Sequence, residues 1–273
     1  MRLLSVQDAL LFRFRLIIPA FFRNFAARKL NIFHSIKMKV RYFTIPNLLT
    51  LSNLLCGSLA VLAAFEGDLV RTFWLVMLSA LCDFLDGFAA RLLNQYSALG
   101  VQLDSLADMV SFGLVPSAVV FSILRTLEFG GECGAWCYVA FIIVLFSALR
   151  LARFNIDDSQ HEEFLGLPTP ACSIFFVATG WMFDKGLLAG TDAVWYAVDA
   201  VVMATLLILP VRMFSLKIKS FGWRGNELRF TFVILSAVAV AVWQVKAVPT
   251  VIVAYVLVSM VRHLLAKRSE SKE

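Results

Sequence analysis

Charge is what this chain has least of. Lys, Arg, Asp and Glu make up 16% of its 273 residues, against 60% hydrophobic residues and a mean hydropathy of +0.81. Soluble domains carry about 25% charged residues, so these proportions exclude an ordinary soluble enzyme and require an integral membrane protein. Histidine is nearly absent, with only His34, His161 and His263, and the five cysteines Cys56, Cys82, Cys133, Cys137 and Cys172 form no Cys-x-x-Cys pair. A zinc or iron–sulfur centre is therefore unsupported. Cys133 and Cys137 share one short loop, where two readings stand open: a disulfide if that side is oxidising, or two free thiols. A secretory cleavage site is missing as well. Arg13 and Arg15 interrupt the run Leu10-Leu-Phe-Arg-Phe-Arg-Leu-Ile-Ile and no small-residue site follows, which argues against a cleaved signal.

What is abundant is long apolar sequence. Runs extend over about 48–65, 69–82, 109–124, 136–149, 171–183, 193–210, 230–245 and 247–261. They predict an all-α polytopic bundle of about eight transmembrane helices. Several runs fall short of the roughly 20 residues that cross the hydrocarbon, so the second and third spans are expected to continue through the acidic sequence between them. Basic residues alternate from loop to loop. The N-terminus, the turn with Arg91, the loop with Arg150 and Arg153, the loop from Arg212 to Arg229 and the tail with Lys267 and Arg268 are basic, while the intervening loops are not. By the positive-inside rule both termini face the cytoplasm, in the inner membrane if the cell is bacterial.

Positive charge is concentrated at one end. Residues 1–41 hold nine Lys or Arg against the single Asp8, a net +8, so the remainder of the chain is net −2. Phe and Leu recur among these bases, which fits an amphipathic helix lying on anionic lipid. A solvated basic tail is the alternative, with Met38 as another possible start, and no fold for nucleic-acid binding accompanies the patch. The expected organisation is a basic juxtamembrane segment over 1–44, a six-helix catalytic core over 45–221, a transmembrane hairpin over 222–265 and a charged tail over 266–273.

Amid this apolar sequence stands Asp83-Phe-Leu-Asp86-Gly87-Phe-Ala-Ala90-Arg91, followed by Gly100, Asp104 and Asp108. On a helix Asp83 and Asp86 are i,i+3 neighbours with Gly87, Ala90 and Arg91 along the same side, and Asp104 and Asp108 are i,i+4 on the next helix, in line with Gly100. Two such helices would aim four carboxylates at one place. Since a single charged side chain at the bilayer centre costs roughly 2.5–3.5 kcal/mol on insertion scales, four acids there call for one divalent cation or two. Oxygen-only ligands select a hard ion such as Mg²⁺ or Mn²⁺, and such a site suits displacement at phosphorus. Interfacial carboxylates without a ligand, or acids of a cation-coupled transporter, would explain the charges but not the fixed Gly, Ala and Arg positions.

The full spacing, D-x2-D-G-x2-A-R-x8-G-x3-D-x3-D, resembles the signature of the CDP-alcohol phosphotransferase family without a departure. The resemblance implies that Asp83, Asp86, Asp104 and Asp108 bind two such ions and that Asp108 is also the general base. It further implies that Gly87, Ala90, Arg91 and Gly100 receive the CDP-lipid and that the enzyme is a homodimer. Three further segments look like the membrane-embedded CDP-diacylglycerol–serine O-phosphatidyltransferases: Ile45-Pro46-Asn47-Leu-Leu-Thr50-Leu-Ser-Asn53-Leu-Leu-Cys56-Gly57, Arg150-Leu-Ala-Arg153-Phe154-Asn155, and Phe164-Leu-Gly166-Leu167-Pro168-Thr-Pro170. That narrower likeness implies transfer of a phosphatidyl group from CDP-diacylglycerol to L-serine, with glycerol 3-phosphate, inositol phosphate or choline as the alternative acceptors. The phospholipase-D-like route is excluded, because His34, His161 and His263 each lack the His-x-Lys sequence it needs.

On their own chemistry these last residues leave choices open. Arg150 and Arg153, i,i+3 at a helix end, either bind an acceptor's carboxylate or phosphate or merely mark topology. Asn47 and Asn53 either contact headgroup and cytidine or hydrogen-bond neighbouring helices. Pro168 and Pro170 either stiffen a loop over the site or mark a helix boundary.

Overall fold

The computed structural model describes residues 42–128, 134–156, 164–213 and 226–270. The expected N-terminal surface helix, Cys133 and much of the basic loop before Asn226 lie outside them. Among the described residues eight helices form: α1 (Ile45–Glu66), α2 (Leu69–Leu92), α3 (Ala98–Leu127), α4 (Ala135–Ile156), α5 (Thr169–Asp184), α6 (Ala193–Ile208), α7 (Glu227–Trp243) and α8 (Ala247–Glu270). Each apolar run coincides with one of them, those over 193–210 and 230–245 running two residues past the ends of α6 and α7. Four of these, α1 to α4, are long and apolar enough to cross a membrane, as is the continuous stretch Glu227–Leu265, whereas α5 and α6 have 16 residues each. As the run lengths require, α2 and α3 continue through the acidic sequence.

Helix α1 is built inside out relative to a helix of a soluble bundle. On α1 the buried face is small and polar, with Asn47, Thr50, Asn53, Cys56, Gly57, Ala60, Ala63 and Ala64, while Leu48, Leu51, Leu55, Leu59 and Leu62 face outward. In lipid there is no hydrophobic gain in burying leucine, so close packing and interhelical hydrogen bonds decide which face turns inward. Thr44 caps α1 by accepting the Asn47 N–H at 3.3 Å, and Gly67, at φ +84°, ends it. Asp68 then caps α2 by accepting the Arg71 N–H at 2.8 Å, so the chain reverses within two residues and α1 packs along α2.

Helix α3 runs through the centre, where Phe112, Val115, Val119, Val120, Ile123 and Leu124 are almost wholly buried. It is interrupted by one π-helical segment, Met109–Leu114, immediately after Asp108. Glycine lets neighbours approach there. A Cβ on Gly57 would collide with Ser111 Oγ, and one on Gly113 would lie 3.0 Å from the Ser147 Cβ, so the widened turn fits between α1 and α4 only because both positions are bare. π segments of this kind recur at functional sites.

One short β pairing departs from the all-α expectation: Phe164–Leu165 pairs antiparallel with Arg212–Met213. Beside it the Gly166 N–H donates to Val211 O at 2.9 Å and the Leu167 N–H to Leu206 O at 2.9 Å, tying this turn to the end of α6. Pro168 precedes α5 and Pro170 lies in its first turn, which settles the two prolines as a helix start. Cys137 is disulfide-bonded, with its partner outside the described residues, while Cys56, Cys82 and Cys172 are free. The reading of two free thiols in that loop is thereby corrected.

Candidate active site

Helical spacing places Ser79, Asp83, Asp86 and Ala90 along one face of α2, and Asp104 and Asp108 fall on successive turns of α3, ahead of its π segment. Where the helices meet, one carboxylate oxygen each from Asp83, Asp104 and Asp108 lie within 4.8 Å of one another. No Lys, Arg or His among the described residues forms an ion pair with them; the salt bridge found is the exposed Arg71–Glu66 pair at 3.8 Å. Arg150 interacts with Asp108 electrostatically without forming a direct pair, and three carboxylates this close inside an apolar protein still repel strongly. A compact set of hard oxygen donors with that deficit of positive charge fits a divalent cation.

The fourth acid, Asp86, lines the same cavity as Asp104 and is held from α1. Asp86 is buried and accepts a hydrogen bond from Thr50 Oγ1 at 2.5 Å, so α1 holds it at the edge of the cluster. Another α1 residue reaches the cluster itself: Asn53, fully buried, donates from Nδ2 to Asp108 Oδ1 at 3.3 Å. Ser79 donates to Asn53 Oδ1, and Ser111 donates to the Asn53 backbone carbonyl at 3.2 Å. Asn53 is thus committed to its neighbours, which resolves one of the two open asparagines.

A cavity of about 270 Å³ opens beside the acids between α1, α2 and the start of α3. Asp86, Gly87, Ala90 and Arg91 line one side, Gly100 and Asp104 another, and buried Asn47 its floor. A Cβ at Gly87 would meet nothing within 4 Å, so the bare glycine leaves the cavity wall open. At Gly100 a Cβ would come within 3.3 Å of Asn47 Oδ1 and 3.1 Å of Ser97 Oγ, so there the missing side chain also serves packing. Arg91 is exposed, and its Nε donates to Gly87 O at 3.0 Å, holding the guanidinium along the cavity rim.

Arg150 and Arg153 line a second cavity of about 320 Å³ with Phe154, Leu165 and Leu207. Arg150 donates from one guanidinium nitrogen to Thr169 Oγ1 at 3.3 Å, and its buried Nε has no hydrogen-bond partner. A buried guanidinium donor without an acceptor is costly, and an anionic ligand would satisfy it. Asn155, from the same segment, donates to Ser105 Oγ at 2.9 Å and so joins the end of α4 to the acidic half of α3. Thr50, Ser79 and Thr169 were not singled out from sequence. The signal existed for the first two, since Thr50 follows Asn47 by three residues and Ser79 precedes Asp83 by four, each on its helix's site-facing side; nothing in the local sequence marks Thr169 beyond its place between two prolines.

Comparison with protein families matches residues 43–211 to CDP-alcohol phosphatidyltransferase. Among curated proteins the chain is similar to the CDP-diacylglycerol–serine O-phosphatidyltransferase of Helicobacter pylori strain 26695, with 30% identity over 225 residues, 81% of this chain and 92% of that protein. It is 36% identical over 154 residues to the Bacillus subtilis protein of the same name, covering 56% of this chain and 84% of the relative. An archaetidylserine synthase of Methanothermobacter thermautotrophicus is 32% identical over 135 residues, 49% of this chain and 56% of that protein.

Proposed function

Because the chain belongs to the CDP-alcohol phosphatidyltransferase family, we propose that it transfers the phosphatidyl group of CDP-diacylglycerol to the hydroxyl of L-serine, giving phosphatidylserine and CMP. The observation that carries this reading is the cluster of Asp83, Asp104 and Asp108 beside a cavity walled by Gly87, Ala90, Arg91 and Gly100. The names of the similar proteins support serine as acceptor.

In this reading the three clustered aspartates, with Asp86 beside them, would hold a pair of Mg²⁺ or Mn²⁺ ions. Bound there, the ions supply Lewis-acid neutralisation of the diphosphate. The bare wall at Gly87, Ala90 and Gly100 lets the cytidine diphosphate lie against the backbone, with Asn47 beneath it, and Arg91 adds a charge-assisted hydrogen bond to a phosphate oxygen. Asp108 accepts the proton of the serine hydroxyl as its oxygen bonds to phosphorus; the bond to CMP breaks and CMP leaves with the electron pair. Arg150 and Arg153 receive the serine carboxylate, the anion the unpartnered Arg150 Nε lacks. The rest of the proposal is an eight-span arrangement with the site and both termini on the cytoplasmic side, where a nucleotide-activated lipid is reached, and a homodimeric assembly.

The test is CMP release by the purified protein with CDP-diacylglycerol and each candidate alcohol in turn. Serine is expected to support turnover, and Arg150→Lys to raise the KM for serine about 10–100-fold while the KM for CDP-diacylglycerol stays near wild type, the loss of one charge-assisted contact being worth roughly 1.5–3 kcal/mol. Turnover with glycerol 3-phosphate but not with serine would overturn the choice of acceptor.

A further inference from the structure

The buried face of α1 does more than pack. Asn53 lies at the crossing of α1, α2 and α3 with no solvent exposure, and every polar group of its side chain is engaged. An amide's two ends are nearly the same shape, so its orientation is set by what faces them. The ionised Asp108 carboxylate only accepts and so takes the amide's donor end, while Ser79 Oγ meets the other end, donating to Oδ1 and standing 3.3 Å from the Asn53 carbonyl. Turned over, the amide would set its oxygen against the Asp108 carboxylate, two acceptors face to face. As it stands, the amide gives Asp108 a neutral donor.

The backbone of Asn53 is fixed too. Ser111, in the π segment just past Asp108, donates to the Asn53 carbonyl at 3.2 Å, and Gly57 permits that approach because any Cβ would collide with Ser111. One end of the chain of contacts is thus the π segment following Asp108, and the other is Ser79, one helical turn before Asp83. Both elements that carry the clustered acids are tied to the same asparagine.

We propose that the Asn53 carboxamide, oriented by Ser79, is the positioning residue that holds Asp108 in register with Asp83 and Asp104, so that the three carboxylates form one divalent-cation site. It acts through Asp108 and touches neither lipid nor acceptor. The inference rests on the proposed metal-dependent function, and its test separates the two. Outer-shell partners of metal ligands typically change affinity about 10–100-fold when removed.

Mn²⁺ binding to the full-length protein in detergent, read from the loss of the electron paramagnetic resonance signal of free aqueous Mn²⁺, is the direct measurement. Asn53→Ala is expected to weaken Mn²⁺ binding about 10–100-fold and to raise by the same factor the Mn²⁺ concentration that half-saturates CMP release, with the KM for CDP-diacylglycerol at saturating Mn²⁺ within about twofold of wild type. Ser79→Ala should move both in the same direction, and Ser79→Thr, which keeps the hydroxyl, should restore wild-type binding. A residue with only a packing role would lower the unfolding temperature without shifting Mn²⁺ affinity, and that result in both alanine variants overturns the proposal. If Asn53→Ala does not fold, Ser79→Ala against Ser79→Thr decides. If wild-type protein binds no Mn²⁺, or Asp108→Asn binds it as tightly, the metal site itself fails and the inference with it; if wild type binds and Asp108→Asn binds more weakly, unchanged affinity in both Asn53→Ala and Ser79→Ala refutes this inference and leaves the metal site standing.

Discussion

Asp108→Asn is expected to lower kcat for phosphatidyl transfer by about 10²–10⁴, the range that loss of a positioned general base produces, while CDP-diacylglycerol still binds. The substitution keeps the size of the side chain, so packing against Asn53 and the π segment is preserved, but the new amide cannot take a proton from an attacking hydroxyl. It also removes one carboxylate from a cluster of three, so the comparison is made at saturating Mn²⁺, where weaker ion binding no longer limits the rate. CMP release gives the rate, and equilibrium binding of labelled CDP-diacylglycerol gives the ground state. A fall in kcat with little change in lipid binding marks an interaction used only on the way to the transition state. Activity above a tenth of wild type would remove Asp108 from the base role. The choice of Asp108 among the four acids rests on the family resemblance, and this substitution is what tests it.

Much of this arrangement could be read from the chain before any coordinates. Spacing put Asp83 with Asp86 and Asp104 with Asp108 on two helix faces, and the shortness of the second and third apolar runs required their helices to continue through the acids, as α2 and α3 do. The lack of bulk at Gly87 and Ala90 was legible for the same reason, since a helical period projects them beside Asp83 and Asp86, and they line the cavity there. What was not legible depends on contacts between residues far apart in sequence. Thr50 meets Asp86 across 36 positions and Asn53 meets Asp108 across 55, distances over which periodicity carries no information. Nor could periodicity show that a hydroxyl from a third helix, Thr50 on α1, engages Asp86 beside the three clustered acids. The π segment was equally hidden, because Met109–Leu114 has the composition of any apolar helix, and only its fit against Gly57 and Gly113 shows why the widened turn is accommodated. Short β pairing beside Gly166 escaped an all-α reading because two residues are too few to leave an alternating pattern.

Removing divalent ions is the second change with a large expected effect. With thorough EDTA treatment CMP release should fall to background, on the order of a thousandfold or more, given the several kcal/mol that a Lewis-acidic ion contributes at a transferring phosphorus. Mg²⁺ or Mn²⁺ added in excess should restore it, and Zn²⁺ should restore it poorly, because the site offers carboxylate oxygens and neither thiolate nor imidazole. The argument turns on charge balance. Asp83, Asp104 and Asp108 place three acidic groups within 4.8 Å, with no basic side chain of the described residues paired to them, and the substrate's diphosphate brings further negative charge into the same cavity. Arg91 at the rim and Arg150 behind Asp108 offset only part of it. Without cations the diphosphate and the acids repel each other, so chelation should weaken CDP-diacylglycerol binding as well as abolish turnover, whereas Asp108→Asn at saturating Mn²⁺ should spare binding. That contrast can be checked on one preparation by following lipid binding and CMP release together. Undiminished turnover after chelation, with residual metal excluded by elemental analysis, would remove the ions from the mechanism and leave three crowded carboxylates without a chemical role.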